Sequence, residues 1–177
     1  MQMSDSRVIA ADRATVWAAL LSREVLMNCV PGCQEMTGSA DDGFEATVVQ
    51  KVGPVKATFK GGVTLSDIVE GESLTLSGEG KGGAAGFAKG DARVTLADDA
   101  SGGTVLSYEV EARVGGKLAQ LGSRIIDGFA RKMADQFFTR FQEAVEGPAE
   151  PDEADDGDAA PEGGEKKKSW LKRVISG

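Results

Sequence analysis

Histidine is absent from this chain of 177 residues, and cysteine, tyrosine and tryptophan are scarce. Because histidine is the commonest general base near neutral pH and the commonest metal ligand, its absence argues against most acid–base and metal chemistry. The two cysteines, Cys29 and Cys33, are too few for a disulfide framework or a four-cysteine zinc site. We expect two buried free thiols in a reducing compartment, with a redox pair as the weaker alternative. No covalent or metal cofactor is expected.

Long apolar runs are also missing. No stretch approaches the roughly 18 apolar residues that a membrane-spanning helix needs, and no signal peptide opens the chain. The net charge of −8 argues against a nucleic-acid partner, since such surfaces are basic. The sequence therefore predicts a cytoplasmic location without a nucleic-acid partner.

Charge divides the chain into three parts. Residues 1–146 hold the patterned, apolar sequence and form the predicted domain. Residues 147–165 carry eight acidic residues, no basic residue and no large apolar side chain, so we expect a disordered linker. Residues 166–177 carry five basic residues and no acidic one. This reversal of charge indicates a separate function for the last segment.

The last twelve residues have the pattern of a short amphipathic helix with an apolar and a basic face. Its length of about 18 Å cannot cross a hydrocarbon core of about 30 Å. We predict instead that it lies on an anionic membrane surface. The alternative is a solubilising tail whose basic end folds back on the linker. The predicted membrane-binding residues are Lys166, Lys167, Lys168, Trp170, Leu171, Lys172, Arg173, Val174 and Ile175.

A long helix is predicted over residues 117–146. An apolar residue falls on every fourth position from Leu121 to Val145, which indicates an amphipathic helix of about eight turns. A row of this spacing winds around the helix, so we expect a twisted sheet to wrap it. Gly122 and Gly128 are predicted to lie within the helix, at a cost of roughly 1 kcal/mol each.

The domain is predicted to begin with a strand over residues 1–10 and two short helices capped by Asp12 and Ser22. The residues between these helices and the long helix are predicted to form strands. The clearest strand alternates apolar and polar residues from Val55 to Leu65. The order is one strand, two short helices, about six antiparallel strands and the long helix. It predicts an α+β helix-grip (START/Bet v1-like) domain, with a curved antiparallel sheet wrapped around the C-terminal helix.

Residues 78–83 match the dinucleotide-binding pattern G-x-G-x-x-G. They lie among hairpins, however, and no helical pattern follows them to hold a pyrophosphate. We interpret these glycines as structural, because they remove side-chain volume and let a sheet bend. They also leave open space near the helix, or a loop that carries Phe87.

Five stretches of the sequence resemble the CoxG family, the G subunits of carbon monoxide dehydrogenase, within the helix-grip SRPBCC superfamily. They are residues 12–17, 29–33, 51–56, 86–90 and 115–138. The resemblance implies a non-catalytic protein that accompanies a molybdenum hydroxylase of the carbon monoxide dehydrogenase type. It further implies peripheral membrane attachment and quinone handling, with bound ubiquinone or menaquinone.

A cavity for such a ligand is expected between helix and sheet. Small residues on the facing strands favour it, namely Ala46, Ala57, Gly61, Ala92 and Ala112. The predicted ligand-binding residues are Trp17, Phe59, Phe87, Tyr108, Phe129, Met133 and Phe137. Two alternatives stay open: a small-molecule enzyme of the polyketide-cyclase type, and a plain lipid carrier.

Overall fold

The computed structural model describes residues 1–147, which form seven strands and three α-helices in the predicted order. The elements are β1 (Gln2–Ile9), α1 (Arg13–Leu20), α2 (Arg23–Cys29), β2 (Cys33–Ser39), β3 (Gly43–Val52), β4 (Val55–Val69), β5 (Ser73–Lys81), β6 (Phe87–Asp98), β7 (Thr104–Gly115) and α3 (Ser123–Glu146). Short 3₁₀ turns precede β6 and α3. The predicted acidic linker beyond Gly147 and the basic segment 166–177 lie outside the described residues.

The seven strands form one antiparallel sheet in the order β1-β7-β6-β5-β4-β3-β2. Helices α1 and α2 connect its two edge strands, and every other strand connection is a hairpin. The sheet is curved and α3 is the long C-terminal helix, so the predicted helix-grip α+β fold is confirmed.

The packed core occupies one end of the sheet, which we name the core end. The β2–β3, β4–β5 and β6–β7 turns lie at this end. Helix α1 and the C-terminal half of α3 pack there against the strands, and Val16, Leu74, Leu106 and Phe141 are almost fully buried. Complete burial of such side chains contributes about 1.5–3 kcal/mol each, so this end anchors α3.

The long helix begins later than predicted. Lys117 lies in the 3₁₀ turn Gly116–Leu121, and α3 starts at Ser123. The reason is Gly122, whose φ of +89° lies in the left-handed region and interrupts a right-handed helix. The prediction that Gly122 lies inside the helix is therefore wrong, whereas Gly128 does lie inside α3.

The caps of the two short helices differ from each other. The Ser22 hydroxyl accepts a hydrogen bond from the Val25 backbone N–H at 3.4 Å, as expected for an N-cap. Asp12 occupies the N-cap position of α1, but its carboxylate accepts from the Thr15 hydroxyl and makes no capping bond to backbone. The predicted N-cap position of Asp12 is therefore confirmed, although the Thr15 hydroxyl takes the place of a backbone N–H as the donor to its carboxylate.

Candidate functional site

A cavity of about 740 Å³ lies between α3 and the sheet. It occupies the end opposite the core end, which we name the mouth end. The β3–β4 turn, the β5–β6 connection and the β7–α3 connection form this end. The volume lies within the range of about 300–1,000 Å³ that is usual for small-molecule sites.

The part of α3 from Ser123 to Phe137 supplies one wall of the cavity. Phe129, Met133 and Phe137 lie in one row at every fourth position, and Ile126 and Ala130 belong to the neighbouring row. Both rows face the same side of a helix with 3.6 residues per turn. The apolar stripe that predicts the helix is thus also the wall of the cavity.

Phe137 forms the boundary between cavity and core. Its ring stacks on Phe141 with centroids 5.9 Å apart and meets Phe138 edge-on at 4.9 Å. Phe141 is fully buried, whereas Phe137 is only partly buried and lines the cavity. The aromatic cluster therefore closes the cavity on the side of the core end.

Small residues of the sheet leave room for the cavity. Gly80, Ala88 and Ala112 line it. The Phe59 ring also lines it and lies so close to Gly82 that a Cβ there would be 2.5 Å from ring carbon Cε1. Gly80 and Gly82 thus border the Phe59 side chain, which agrees with the structural interpretation of residues 78–83.

Of the five small residues expected to face the cavity, only Ala112 does so. Ala92 pairs with Leu76 and Val110, farther toward the core end. Ala46 and Gly61 border a separate polar groove. Alternation along a strand does not specify the end of the sheet at which a side chain lies, and that explains the error for Ala92.

The cavity opens near the start of α3. Among its lining residues, Arg113, Ala119, Gly122 and Ser123 are exposed to solvent. The lining contains few polar residues, namely Gln50, Arg113, Ser123 and Asp127. The Gln50 side-chain amide donates a hydrogen bond to the Pro31 carbonyl. An apolar interior with hydrogen-bonding groups near its opening fits a hydrophobic molecule with a weakly polar head.

Four of the seven predicted ligand-binding residues come together around the cavity: Phe59, Phe129, Met133 and Phe137. Trp17, Tyr108 and Phe87 lie outside it. Trp17 lies on α1 in the packed core and is 7% exposed. Placing these three in the lining was wrong.

Tyr108 lies in the core because its ring stacks on Phe138, with centroids 4.7 Å apart. Burial raises the pKa of its phenol above the ordinary value. Phe87 is the first residue of β6 and is 42% exposed, with its ring lying against Gly115. Aromatic character alone therefore did not distinguish core, surface and cavity.

Several lining residues were missed by sequence reasoning. Met1 and Met3 come from the start of the chain, Val30 and Pro31 from the α2–β2 connection, and Leu118 from the 3₁₀ turn. For Met1 and Met3 a signal was available, because residues two apart in an extended segment face the same side of the sheet. No periodic signal marks the other three, since they lie in connections.

The two cysteines are free, as predicted. Cys29 is buried in the core, and desolvation raises the pKa of its thiol. Cys33 is only partly buried, contrary to expectation, because it begins edge strand β2. Among residues 1–147, no group of three or more acidic or cysteine side chains could hold a metal ion, and none of the helices there combines the length and the hydropathy that a membrane span requires.

Comparison with known proteins identifies relatives of the whole domain. A conserved protein from Geobacillus kaustophilus has 26% identity and a TM-score of 0.76, covering 82% of this chain and 95% of its own. A START superfamily protein from Mycobacterium smegmatis has 13% identity and a TM-score of 0.61, covering 82% and 97%. Comparison with curated proteins finds no significant match.

The model of one protein family, described as CoxG, the G subunit of carbon monoxide dehydrogenase, matches residues 6–146. This match begins within β1 and includes every later strand and all of α3. It agrees with the resemblance found in the sequence. The chain belongs to the CoxG family of carbon monoxide dehydrogenase G subunits and has a START-like fold.

Proposed function

We propose that this protein is a non-catalytic accessory protein that binds a quinone or a similar flat hydrophobic molecule in the cavity. In this proposal it also recruits a carbon monoxide dehydrogenase-type molybdenum hydroxylase to the cytoplasmic membrane surface. The apolar cavity between α3 and the sheet is the observation that carries the ligand class. The family name supports the partner, since it describes a subunit of carbon monoxide dehydrogenase.

The walls of the cavity suit a quinone because they combine aromatic rings with small residues. Phe59 and Phe129 offer flat apolar surfaces, and Ala130 leaves space beside them. Each methylene group of a prenyl chain that is buried there contributes about 0.8 kcal/mol. Ser123 supplies a hydrogen-bond donor near the opening for a quinone oxygen.

The bound quinone is the electron acceptor in this proposal. When bound, a quinone would supply an acceptor for two electrons from the hydroxylase and two protons from solvent, and it would leave as a quinol. The protein's own part is to bind and orient the molecule and to exclude water from it. The lining includes one carboxylate, Asp127, near the start of α3, and this supports a binding role over acid–base catalysis.

Extraction and titration test the ligand. Organic extracts of the purified full-length protein are analysed by mass spectrometry, and decylubiquinone is titrated in detergent solution. Ala130→Phe places a ring in the cavity and should weaken binding at least 10-fold. The matched variant Ala144→Phe adds the same ring on an exposed part of α3 and should bind as the parent does. Absence of quinone from the extract, with no saturable binding, would overturn the proposal.

Membrane attachment is tested by vesicle sedimentation. The full-length chain is compared with a chain that ends at Glu146, which lacks the predicted membrane-binding segment. We expect the shorter chain to lose most of its binding to phosphatidylglycerol vesicles and its recruitment of the hydroxylase to them. Equal binding by both chains contradicts the assignment of the tether to residues 166–177.

A further inference from the structure

The two ends of the domain carry opposite charge. Connections at the core end (residues 39–43, 67–72 and 98–104) contain acidic but no basic residues, namely Asp41, Asp42, Asp67, Glu70, Glu72, Asp98 and Asp99. Connections at the mouth end (residues 51–56, 79–89 and 113–124) contain Glu79 and seven exposed basic residues, namely Lys51, Lys56, Lys81, Lys89, Arg113, Lys117 and Arg124.

Some of the basic residues at the mouth end are placed unfavourably for the fold itself. Lys51 is paired across the β3–β4 hairpin with Lys56, and Lys81 is paired across β4 and β5 with Lys60, whereas Lys89 lies between Arg113 on β7 and Glu79 on β5. Like charges that face each other across a sheet are destabilising. Within residues 1–147 the salt bridges join other residues at other places. A binding partner with negative charge would explain this arrangement.

Apolar side chains lie among these bases. Phe87 and Ile125 are 42% and 41% exposed. A Cβ on Gly53, at the tip of the β3–β4 hairpin, would lie 3.4 Å from the Ile125 side chain, so the hairpin tip and the start of α3 adjoin. The exposed lining residues Ala119 and Gly122 mark the opening of the cavity in the same region.

We propose that the mouth end is itself a docking surface for an anionic lipid bilayer, separate from the C-terminal segment. Phe87 and Ile125 enter the interfacial layer, and the surrounding lysines and arginines contact lipid phosphates. The opening of the cavity then faces the acyl chains, so a lipophilic molecule enters without crossing water. Only the purpose of this contact depends on the proposed function; the contact itself does not.

A comparison with the core end shows that charge, and not apolar exposure, distinguishes the mouth end as a surface for an anionic bilayer. Ile68 and Val69 are each 49% exposed there, so apolar exposure is similar at the two ends. Their neighbours in the β4–β5 turn are acidic, and an anionic bilayer repels them. An apolar patch with a basic rim favours an anionic lipid surface, whereas the same patch with an acidic rim does not.

The test uses the full-length chain with its tail neutralised in every sample (Lys166→Gln, Lys167→Gln, Lys168→Gln, Trp170→Ala, Lys172→Gln, Arg173→Gln). Sedimentation with phosphatidylglycerol vesicles compares this parent with the triple variant Lys51→Gln, Lys56→Gln, Lys117→Gln. The control is the triple variant Arg23→Gln, Arg131→Gln, Lys132→Gln, which removes equal charge from exposed helix positions. Unchanged circular dichroism and Tm establish that each variant is folded.

We expect the mouth-end variant to lose binding by roughly five-fold per removed cation, on the order of 100-fold at low salt. The control variant should bind nearly as the parent does, and phosphatidylcholine vesicles should bind none of the three. Equal loss by both triple variants would mean that only net charge matters, and it overturns the proposal. Unchanged binding by the mouth-end variant would assign the basic residues of the mouth end to a protein partner, and it would also overturn the proposal.

A second pair of variants tests the apolar contact. Ile125→Ser should weaken binding to phosphatidylglycerol vesicles several-fold, while Ile68→Ser at the core end should not, although Ile68 is the more exposed side chain. Equal effects refute insertion at the mouth end. Titration with decylubiquinone in detergent separates the two proposals, because the lysine variants should retain that binding whether or not the bilayer contact is real.

Discussion

The substitution Ala130→Phe distinguishes an empty cavity from a packed interior by the sign of its effect on stability. Ala130 lies on α3 and lines the cavity beside Phe129 and Met133. In a filled core, a larger side chain causes overpacking and costs about 1–3 kcal/mol. In an empty cavity of about 740 Å³, the new ring finds space and buries apolar surface.

The expected gain follows from two terms. Burial of a phenylalanine ring contributes about 1.5–3 kcal/mol relative to an exposed ring. Replacing alanine by phenylalanine in a helix costs roughly 0.5 kcal/mol in propensity. The control Ala144→Phe, at an exposed position, has the same cost in helix propensity but no gain from burial. The propensity cost cancels in the comparison, so we expect Ala130→Phe to be about 1.5–3 kcal/mol more stable than Ala144→Phe.

Urea unfolding of the ligand-free protein measures this difference. Decylubiquinone at one hundred times its Kd should stabilise the parent and Ala144→Phe by about 2.7 kcal/mol. It should stabilise Ala130→Phe much less, since the new ring occupies the ligand's space. A variant Ala130→Phe that is less stable than Ala144→Phe by 1 kcal/mol or more would refute the argument that the region is empty.

Three further predictions concern the fold. Phe141→Ala should cost about 3–5 kcal/mol in urea unfolding, since Phe141 is fully buried, and a cost below 1 kcal/mol would contradict the assigned core. Burial raises the pKa of Tyr108, so the contribution of its neutral phenol to folding stability is complete below the ordinary phenol pKa and is lost as pH rises above it. Tyr108→Phe should therefore weaken the loss of stability at alkaline pH, and an unaltered profile of stability against pH would contradict this. Gly86→Ala should destabilise more than Gly102→Ala in thermal unfolding. Both glycines have positive φ, but only at Gly86 would a Cβ lie 1.9 Å from a carbonyl oxygen; equal costs would exclude that clash.

The sequence predicted the elements well because their signals are local. The apolar row of α3 and the alternation in β4 each repeat with the period of their structure. The start of α3 was misplaced because propensity and periodicity do not reveal a backbone angle. Gly122 lies within the stretch that was predicted to be helical. Its positive φ ends the 3₁₀ turn, and α3 starts only at the next residue.

The site was predicted in part, and the errors at Trp17 and Tyr108 have one cause. Periodicity specifies the face of an element, so Phe129 and Met133 were placed correctly on the inner side of α3. It does not specify the position along the sheet, and Trp17 and Tyr108 also point inward but at the core end. Pro31, which lies in a connection, follows no period. Only tertiary contacts could assign such residues to the cavity.

The length of α3 explains why one domain contains both a solid core and a cavity. Its 24 residues extend about 36 Å, and its almost fully buried side chains, Phe138 and Phe141, lie in the C-terminal half. This half is held by aromatic stacking and fixes the helix against the sheet. The N-terminal half is thereby held in place without dense packing of its own. Small strand residues such as Gly80 and Ala88 then face it across open space. Stability is therefore concentrated at the core end, which leaves the mouth end available for binding.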